Sequence, residues 1–428
     1  MKKTILLIGY ILLINGFAFS QTASNSELNK IIEASFNYFP AIKESLNAEK
    51  TAEEKLKMVE MNKLPDFSVT GTYNYMMPKI SFPINGNEIQ FAPVNSFNSS
   101  INTNYTIVDF GRLKASIEKS KFEIQNAKHN TAAAQMQLAQ QVASIYYSIV
   151  YLKKSILVQD SVISYLQQNK KVVDNKILNG ESYKIDALTL QSTLDAERNK
   201  KLDLLSQLQK QINLLEYTSG FKTIVGNNFD FNSADINNSQ IDSTKALANP
   251  DFLLLSDKTI LAQKELFIIK TKSRPSVGLH GAGGYKNGFV PDVNDMRFNY
   301  YGGVSFMLPL DLFGKTKQQL KVQQSIIKQS ELATQSFENK NNKDIKDILS
   351  DIEINALKIK NTESQIASAD KAEQIIALKY QNGIATYLDV VAASTAVQKA
   401  ALSKLQCEYQ QTLNYIYLNK LRGIEFWK

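Results

Sequence analysis

The stretch 112-RLKASIEKSKFEIQNAKHNTAAAQMQLAQQVASIYYSIVYLKKSILVQDSVISYLQQNKKVVDNKIL-178 runs for 67 residues without a proline or a glycine. An unbroken stretch of this length predicts one α-helix, and at about 1.5 Å per residue that helix is about 100 Å long. Helices in ordinary globular domains are much shorter. The stretch therefore predicts a long coiled bundle.

The apolar residues of this stretch follow the alternating spacing of four and three that is typical of a coiled coil. They are Leu138, Val142, Ile145, Ile149, Leu152, Ile156, Ile163 and Leu166, with Gln159 as the one polar interruption. Residues 315–381 are a second stretch of 67 without proline or glycine, but Asn355, Thr362 and Glu373 interrupt its seam. This polar seam fits either an irregular coiled coil or a helix partly exposed to water in a lumen.

The two halves of the chain place the same landmarks at the same distances. Pro40 and Pro65 are 25 residues apart, as are Pro250 and Pro275; Gly111 and Gly180 are 69 apart, as are Gly314 and Gly383. Equivalent positions differ by 210 residues at the prolines and by 203 from Gly111 onward, so the only length difference lies between Pro65 and Gly111. This agreement indicates a duplicated structural unit.

Both repeats are predicted to contain the same four elements. The first repeat, 21–220, has a helix at 26–63, a hairpin at about 66–108, the long helix 112–178 and a return helix at 182–218. The second repeat, 249–423, has a helix at 251–272, a hairpin at about 276–308, the long helix 315–381 and a return helix at 386–421. Asn-Gly pairs separate each long helix from its return helix, which Ser182 and Thr386 are suited to cap.

In the two hairpins the apolar period changes from 3.5 to 2, as it does in strands. Along the first strand, Phe67, Val69, Gly71, Tyr73 and Tyr75 alternate with serine, threonine and asparagine. Strands of about ten residues with one apolar and one polar face are typical of membrane barrels, while a soluble hairpin with one core face is the alternative. Aromatic residues toward the strand ends favour the membrane interpretation and predict an interfacial girdle: Tyr73, Tyr75, Phe97, Phe298 and Tyr300.

Four strands cannot close a membrane barrel, because about eight are needed. Open sheet edges in lipid leave backbone groups without hydrogen-bond partners, so several chains must share one barrel. Two chains supply eight strands around an interior filled by side chains, and three supply twelve, enough for a water-filled lumen. The strand count alone does not decide between these two.

The N-terminus has the pattern of a secretory signal peptide. Lys2 and Lys3 precede an apolar run at 5–14, and Ala18 and Ser20 are small residues at the cleavage-specifying positions. We therefore expect a signal peptide at 1–20 and a mature chain from Gln21, with an uncleaved anchor as the alternative. No later stretch approaches 18 consecutive apolar residues, so we expect no transmembrane helix.

Composition and motifs argue against several other functions. The net charge of +8 is spread along the chain without a clustered basic run, so we expect no nucleic-acid binding. Cys407 is the only cysteine, so there is no disulfide, and neither it nor His129 nor His280 belongs to a metal or catalytic motif. We therefore expect no cofactor, no metal site and no enzymatic activity.

The ordered landmarks resemble those of the TolC family of outer-membrane efflux proteins. The resemblance rests on the signal peptide, the duplicated helix–hairpin–helix unit, Phe-Gly before each long helix, and Asn-Gly followed by aspartate six residues after the glycine. It implies a mainly α fold with a small β part, in which a homotrimer closes a twelve-stranded β-barrel above a periplasmic α-barrel. The segment 221–248 then forms an equatorial linker, and 424–428 is a C-terminal tail.

The resemblance also implies partners and a function. We expect outer-membrane localisation in contact with lipid, with the helices in the periplasm, where a periplasmic adaptor and an inner-membrane transporter bind. The implied function is a passive conduit for exported small molecules in a tripartite efflux system. An exit duct for type I protein secretion is an alternative, and a non-channel periplasmic coiled-coil adaptor or scaffold is an alternative of another class.

The two Asn-Gly turns are the expected periplasmic tip and adaptor contact: Asn179, Gly180, Asn382 and Gly383. Asp186 resembles the acceptor, and Tyr380 the hydroxyl donor, of a bond that closes the family's periplasmic entrance. Asp389 resembles a member of an anionic ring that favours cations. Ala385 and Ala392 replace an arginine and a second acid of the family pattern, which implies a closure that is weaker or differently built, and a weaker attraction of cations. The alternative is that the glycines are only helix caps and the aspartates only first-turn acids.

Overall fold

The structure is a computed structural model that describes residues 26–84, 87–221, 231 and 249–428. The expected signal peptide at 1–20 and most of the expected equatorial linker at 221–248 lie outside the described residues.

Seven α-helices account for most of the described chain. They are α1 (Ser26–Tyr38), α2 (Pro40–Met61), α3 (Arg112–Leu178), α4 (Lys184–Ser219), α5 (Pro250–Lys272), α6 (Lys315–Gln381) and α7 (Tyr387–Arg422). The long helices α3 and α6 each have 67 residues, because neither stretch contains a residue that breaks a helix. No helix among the described residues is long and apolar enough to cross a membrane.

The structure differs from several of the predicted helix bounds. The predicted helix at 26–63 is two helices, because Phe39 is not helical and α2 begins at Pro40. Proline is tolerated at this position, since the first N–H groups of a helix have no partner within the helix. The return helices begin at Lys184 and Tyr387, later than the predicted 182 and 386. Tyr183, and not Ser182, is the residue in the N-cap position of α4.

A four-stranded antiparallel sheet is formed by both predicted hairpins together. The strands are β1 (Asp66–Tyr75), β4 (Asn95–Val108), β5 (Ser276–Lys286) and β6 (Arg297–Met307), adjacent in that order. Between β1 and β4, the connecting segment forms an additional small hairpin of β2 (Ser81–Ile84) and β3 (Asn87–Gln90). Strands β1 and β6 are the two edges of the larger sheet.

The register of this sheet places the apolar residues of all four strands on one face. Val69 pairs with Ile101, Leu279 with Val304, and Tyr285 with Phe298. The opposite face pairs small polar residues such as Thr70 with Ser100. The apolar face is uncovered, and Val69 is 76% and Val304 69% exposed, which confirms the predicted division into an apolar and a polar face.

The described chain forms two compact units, and each draws on both repeats. The first contains Ala132–Pro250, Glu338–Lys428 and the chain up to Glu44. Its main core packs α1 against the middle of α3 and the end of α7, with Ile31, Tyr146 and Ile416 among the most buried side chains. Asn355 and Thr362, which interrupt the seam of α6, are each only 7% exposed, so they are packed in the structure and do not face water.

A buried polar layer crosses this first unit between α3, α4 and α7. The Nε2 of Gln159 donates to the Glu197 carboxylate at 2.6 Å, and the Nε2 of Gln398 donates to the Gln159 side-chain oxygen at 3.0 Å and to the same carboxylate at 3.2 Å. Lys200 pairs with the other carboxylate oxygen at 2.7 Å. Burial raises the pKa of Glu197, but the hydrogen bonds from Lys200, Gln159 and Gln398 outweigh it, so the net pKa lies below its ordinary value.

The second unit comprises Ser45–Thr131 and Asp251–Phe337 and contains the sheet. Here α5 packs against α3 through polar contacts. Lys119 and Glu265 form an ion pair at 2.8 Å, and His129 Nδ1 lies 2.7 Å from the buried carboxylate of Asp257. His129 of α3 therefore has a buried acidic partner on α5.

Candidate functional site: the helical turns and the apolar strand face

The turns after α3 and α6 have the same backbone geometry. Gly180 and Gly383 adopt left-handed φ values of 78° and 73°. The N–H of Glu181 donates to the Lys176 carbonyl, and that of Ile384 to the Lys379 carbonyl, both at 2.8 Å. This is the Schellman motif, in which the glycine position requires a positive φ. Both turns lie at the Asn-Gly pairs, where the sequence predicts them.

Asp186 and Asp389 each lie on the first turn of a return helix. The Asp186 carboxylate accepts from the Ser182 hydroxyl at 2.7 Å, and the Asp389 carboxylate accepts from the Thr386 hydroxyl at 2.7 Å and the Thr386 amide at 2.8 Å. The hydroxyl and the amide of Thr386 lower the pKa of Asp389. Asp389 is exposed, and its lowered pKa keeps the carboxylate ionised at neutral pH.

Tyr380 lies beside the first turn without making the bond that the resemblance implies. Its hydroxyl is buried and has no hydrogen-bond partner among the described residues. Burial raises the pKa of Tyr380, and the charge of Asp186 raises it further, so the two side chains are close enough to interact electrostatically. The single chain thus leaves the Tyr380 hydroxyl buried and without a hydrogen bond among the described residues.

Lys176, which no sequence motif marks, also lies beside the first turn. Its Nζ donates to the Tyr380 carbonyl at 3.0 Å and lies 4.4 Å from the centre of the Tyr380 ring. The ring of Tyr387 contacts that of Tyr380 edge-on at 6.3 Å. These contacts tie the end of α3 to the end of α6 and the start of α7. Lys176 and Tyr380 are far apart in the sequence, and they meet only because α3 and α6 pack in one particular register. The sequence does not reveal that register.

Apolar side chains surround both turns and point into solvent. They are Leu178, Tyr183, Ile185 and Leu188 at the first turn and Ile384 and Leu388 at the second. Ile185 and Leu388 are equivalent positions of the two repeats. Helix turns are normally polar, so this exposed apolar set is typical of a surface that another protein covers. The signal was present in the sequence, as apolar residues within a few positions of each Asn-Gly pair.

The aromatic residues of the expected girdle are gathered at one end of the sheet, next to the hairpin loops. The rings of Tyr73 and Phe97 are 4.9 Å apart, and those of Phe298 and Tyr300 are 6.4 Å apart. Tyr285, which was not in the expected set, packs against Phe298 at 5.5 Å. The described residues contain no group of three or more His, Cys, Asp or Glu placed to hold a metal ion.

The sequence matches the family model described as "Outer membrane efflux protein" over residues 38–220 and 262–423. These two matched segments correspond to the two repeats. No protein of curated function matches the chain by sequence.

Solved structures of outer-membrane channels have a similar fold. The CusC channel superposes with a TM-score of 0.79 at 16% identity, covering 94% of this chain and 93% of CusC. VceC of Vibrio cholerae gives 0.77 at 17% identity over 94% of this chain and 97% of VceC. CmeC of Campylobacter jejuni gives 0.76 at 17% identity over 93% of this chain and 85% of CmeC.

Proposed function

The chain belongs to the outer membrane efflux protein family, and from this premise we propose that three copies form the passive outer-membrane conduit of a tripartite efflux system. Membership places the protein in the outer membrane as an efflux channel, with its helices in the periplasm. In the proposed system, an inner-membrane pump loads small molecules and a periplasmic adaptor joins the pump to the tip of the channel.

The observation that carries the proposal is the sheet with an uncovered apolar face and two open edges. Edge strands β1 and β6 have 10 and 11 residues, and each presents unpaired backbone groups along one side. In lipid, every unpaired backbone group costs several kcal/mol, so these edges require partner strands. Three copies supply twelve strands, enough for a closed barrel with a water-filled interior.

The exposed apolar residues around the turns support an adaptor contact at the tip. Ile185 and Leu388 occupy equivalent positions, so a trimer presents six similar apolar positions in a ring. A helical hairpin of an adaptor with an apolar stripe fits such a ring. Asn179, Gly180, Asn382 and Gly383 are the backbone turns between these side chains.

The proposed gate uses Tyr380 and Asp186, with Asp389 as the cation-attracting position. A buried, unpartnered hydroxyl next to a carboxylate is a ready donor, and a bond between them in the assembled channel would hold the tip hairpins together. Asp389, kept ionised by Thr386, supplies three carboxylates per trimer. Ala392 cannot add a second ring, so we expect modest cation preference.

The overall proposal is tested by purification and by deletion of the gene. We expect the protein in the outer-membrane fraction and, in detergent, a homotrimer by native mass with a mostly helical circular dichroism spectrum. Deletion is expected to lower the concentration of toxic small molecules that the cell tolerates. A monomer that is extracted without detergent would instead support the periplasmic scaffold.

The gate is tested by conductance of single channels in planar bilayers. We expect Tyr380→Phe and Asp186→Ala each to raise the leak conductance of the closed channel, because each removes one side of the proposed bond. Tyr380→Phe deletes a hydroxyl with no partner in the single chain, so it should not weaken folding. Asp186→Asn, which keeps an oxygen for the Ser182 hydroxyl but loses the charge, separates gating from loss of the helix cap.

Two exposed residues serve as controls for these variants. Tyr183→Phe alters a tyrosine of the same turn, and Asp195→Ala removes a carboxylate further along α4. Neither should change conductance. Wild-type leak in both Tyr380→Phe and Asp186→Ala would contradict the gate assignment while leaving the channel itself in place.

A further inference from the structure

A groove between α3 and α5, next to the helix end of the sheet, combines apolar walls with a cationic rim. We propose that this groove binds an anionic phospholipid of the periplasmic leaflet, with Lys114 and Arg274 at its phosphate and Phe267 beside its glycerol and upper acyl carbons. The site goes beyond the proposed conduit, because it needs only the outer-membrane location of the chain and not its cargo, gate or partners.

The groove is an open cavity of about 520 Å³, a size that suits a small ligand or a lipid headgroup. Its walls are one face of α3, with Lys114 and Ala115, and one face of α5, with Ile260 and Phe267. Ala115 is buried, whereas the Phe267 side chain is 48% exposed. An exposed ring at the mouth of a cavity offers apolar surface to a ligand that is itself partly apolar.

Arg274 is held at the sheet end of this groove in a position to bind an anion. Its Nη1 donates to the Phe110 carbonyl at 2.7 Å, and its guanidinium carbon lies 5.7 Å from the centre of the Phe267 ring. Gly111 lets the guanidinium approach, since a Cβ there would lie only 3.6 Å from Nη1. The other guanidinium N–H groups make no hydrogen bond with a described residue. The planar fork is therefore oriented and still open to a phosphate.

The acids beside the groove are engaged elsewhere. Glu118, which also lines it, pairs with Lys121 at 3.6 Å. Asp109 accepts from two amides at the start of α3, at 2.9 Å and 2.5 Å. Lys114 is exposed and makes no ion pair with a described residue, and Lys264 adds a third cation about 15 Å further along α5 from Arg274. The rim therefore presents positive charge that attracts an anionic headgroup.

The groove lies close to the lipid-facing part of the sheet. Gly111 follows the end of β4 at Val108 by three residues, and Arg274 precedes the start of β5 at Ser276 by two. Three residues of chain span at most about 10 Å, so both positions are near the end of the apolar strand face. Cations at such a boundary lie at the level of lipid phosphates.

A second set of exposed apolar residues supports this level. It lies where strands and helices join, at the end of the sheet away from the aromatic girdle, and includes Leu64, Phe110, Leu312 and Phe313, the last 98% exposed. Apolar side chains this exposed beside a lipid-facing sheet are typical of a membrane interface. Arg274 is bonded to Phe110 of this set, so a lipid can keep its acyl chains in the bilayer while its phosphate reaches the guanidinium.

The apolar walls favour a lipid over a free anion. Inorganic phosphate is recognised through charge and hydrogen bonds alone, and it gains nothing from Ile260 or the Phe267 ring. A phospholipid matches both parts of the groove, because its phosphate is negative and its ester region and chains are apolar. Basic pockets between helices at a membrane surface bind anionic headgroups in this way.

The test is native mass spectrometry of the intact protein, delipidated in detergent and titrated with dioleoylphosphatidylglycerol. Lys114→Gln with Arg274→Gln removes both rim cations, and we expect the affinity to fall about fivefold for each cation removed. Lys114→Gln alone keeps the bond between Arg274 and Phe110, so it tests the site even if the double variant folds poorly. The control, Lys258→Gln with Lys272→Gln, makes the same charge change at exposed lysines on another face of α5.

We expect the control to bind phosphatidylglycerol as wild type does, and phosphatidylcholine, which has no net charge, to bind several-fold more weakly. Equal affinity of wild type and both rim variants would overturn the site, as would an equal loss in the control. Displacement of the lipid by millimolar inorganic phosphate would overturn the lipid in favour of a free anion. Native mass and conductance of the same variants report on the proposed conduit separately, so either proposal can fail alone.

Discussion

Arginine in place of Val69 is expected to keep most of the protein out of the outer membrane. Val69 lies in the middle of β1 on the apolar face, and no other described residue covers it. A lipid-facing arginine near the middle of a membrane barrel costs about 2–4 kcal/mol, and each trimer would carry three of them. The measurement is the amount of trimer in the outer-membrane fraction relative to wild type.

The neighbouring residue provides a matched control. Thr70 lies on the opposite face, where its hydroxyl contacts Ser100 at 3.1 Å and accepts from the Asn102 amide at 2.9 Å. Thr70→Arg loses only these exposed bonds and places its charge toward water, so we expect near-normal amounts of trimer. On β6, Val304→Arg and Ser305→Arg repeat the comparison. Equal loss from both members of a pair would contradict the assignment of the apolar face to lipid.

The long helices and the faces of the strands could be predicted because both depend on local pattern. Absence of proline and glycine is sufficient to set the bounds of α3 and α6. Strand faces follow from alternation, since side chains in a strand point to opposite sides in turn. The pairing of β4 with β5 joins the two repeats, and no local pattern specifies it.

The elements that the sequence did not predict depend on contacts beyond the local pattern. Strand β2 contains Pro83, a residue that is unfavourable in a central strand, yet a two-stranded hairpin has outer edges where a missing N–H is tolerated. Phe82 packs edge-on against Phe91 at 5.7 Å across that hairpin. The break at Phe39 differs from the prediction of one helix over 26–63. Proline is a common first residue of a helix, so Pro40 is compatible with the start of a second helix.

The candidate site was predicted in part. The turns and the first-turn aspartates follow from Asn-Gly pairs and spacing, but each aspartate is engaged by its own helix start. Tyr380 was identified only through a family resemblance, and its proposed bond remains a proposal. Gln159 appeared in the sequence as a defect in an apolar seam, and the structure shows it bonded to Glu197 and Gln398, far away in sequence.

Glu197→Ala is expected to destabilise the helical bundle strongly. The substitution removes the carboxylate that accepts from Gln159 and Gln398, so each buried side-chain amide loses one of its two acceptors and keeps only the Glu197 backbone carbonyl (Gln159) or the Gln159 side-chain oxygen (Gln398). A buried polar group that loses a hydrogen bond costs about 1–3 kcal/mol. The measurement is the urea concentration at half-unfolding, followed by circular dichroism at 222 nm. Asp203→Ala, which removes an exposed carboxylate from the same helix, is the control and should leave the midpoint unchanged.

Two further measurements distinguish the loss of hydrogen bonds in this polar layer from a general loss of packing. A triple variant, Gln159→Leu, Glu197→Met and Gln398→Leu, removes all the polar partners together and should recover much of the lost stability, because no buried donor is then left unpaired.

The pKa of Glu197 is lowered in the folded state, so its ionised form stabilises folding above the ordinary glutamate pKa, and this contribution is lost as pH falls through the folded value. The difference between wild type and Glu197→Ala should therefore persist at pH 7 and shrink only below about pH 4. A difference that did not change with pH would mean that the carboxylate charge does not hold the layer together.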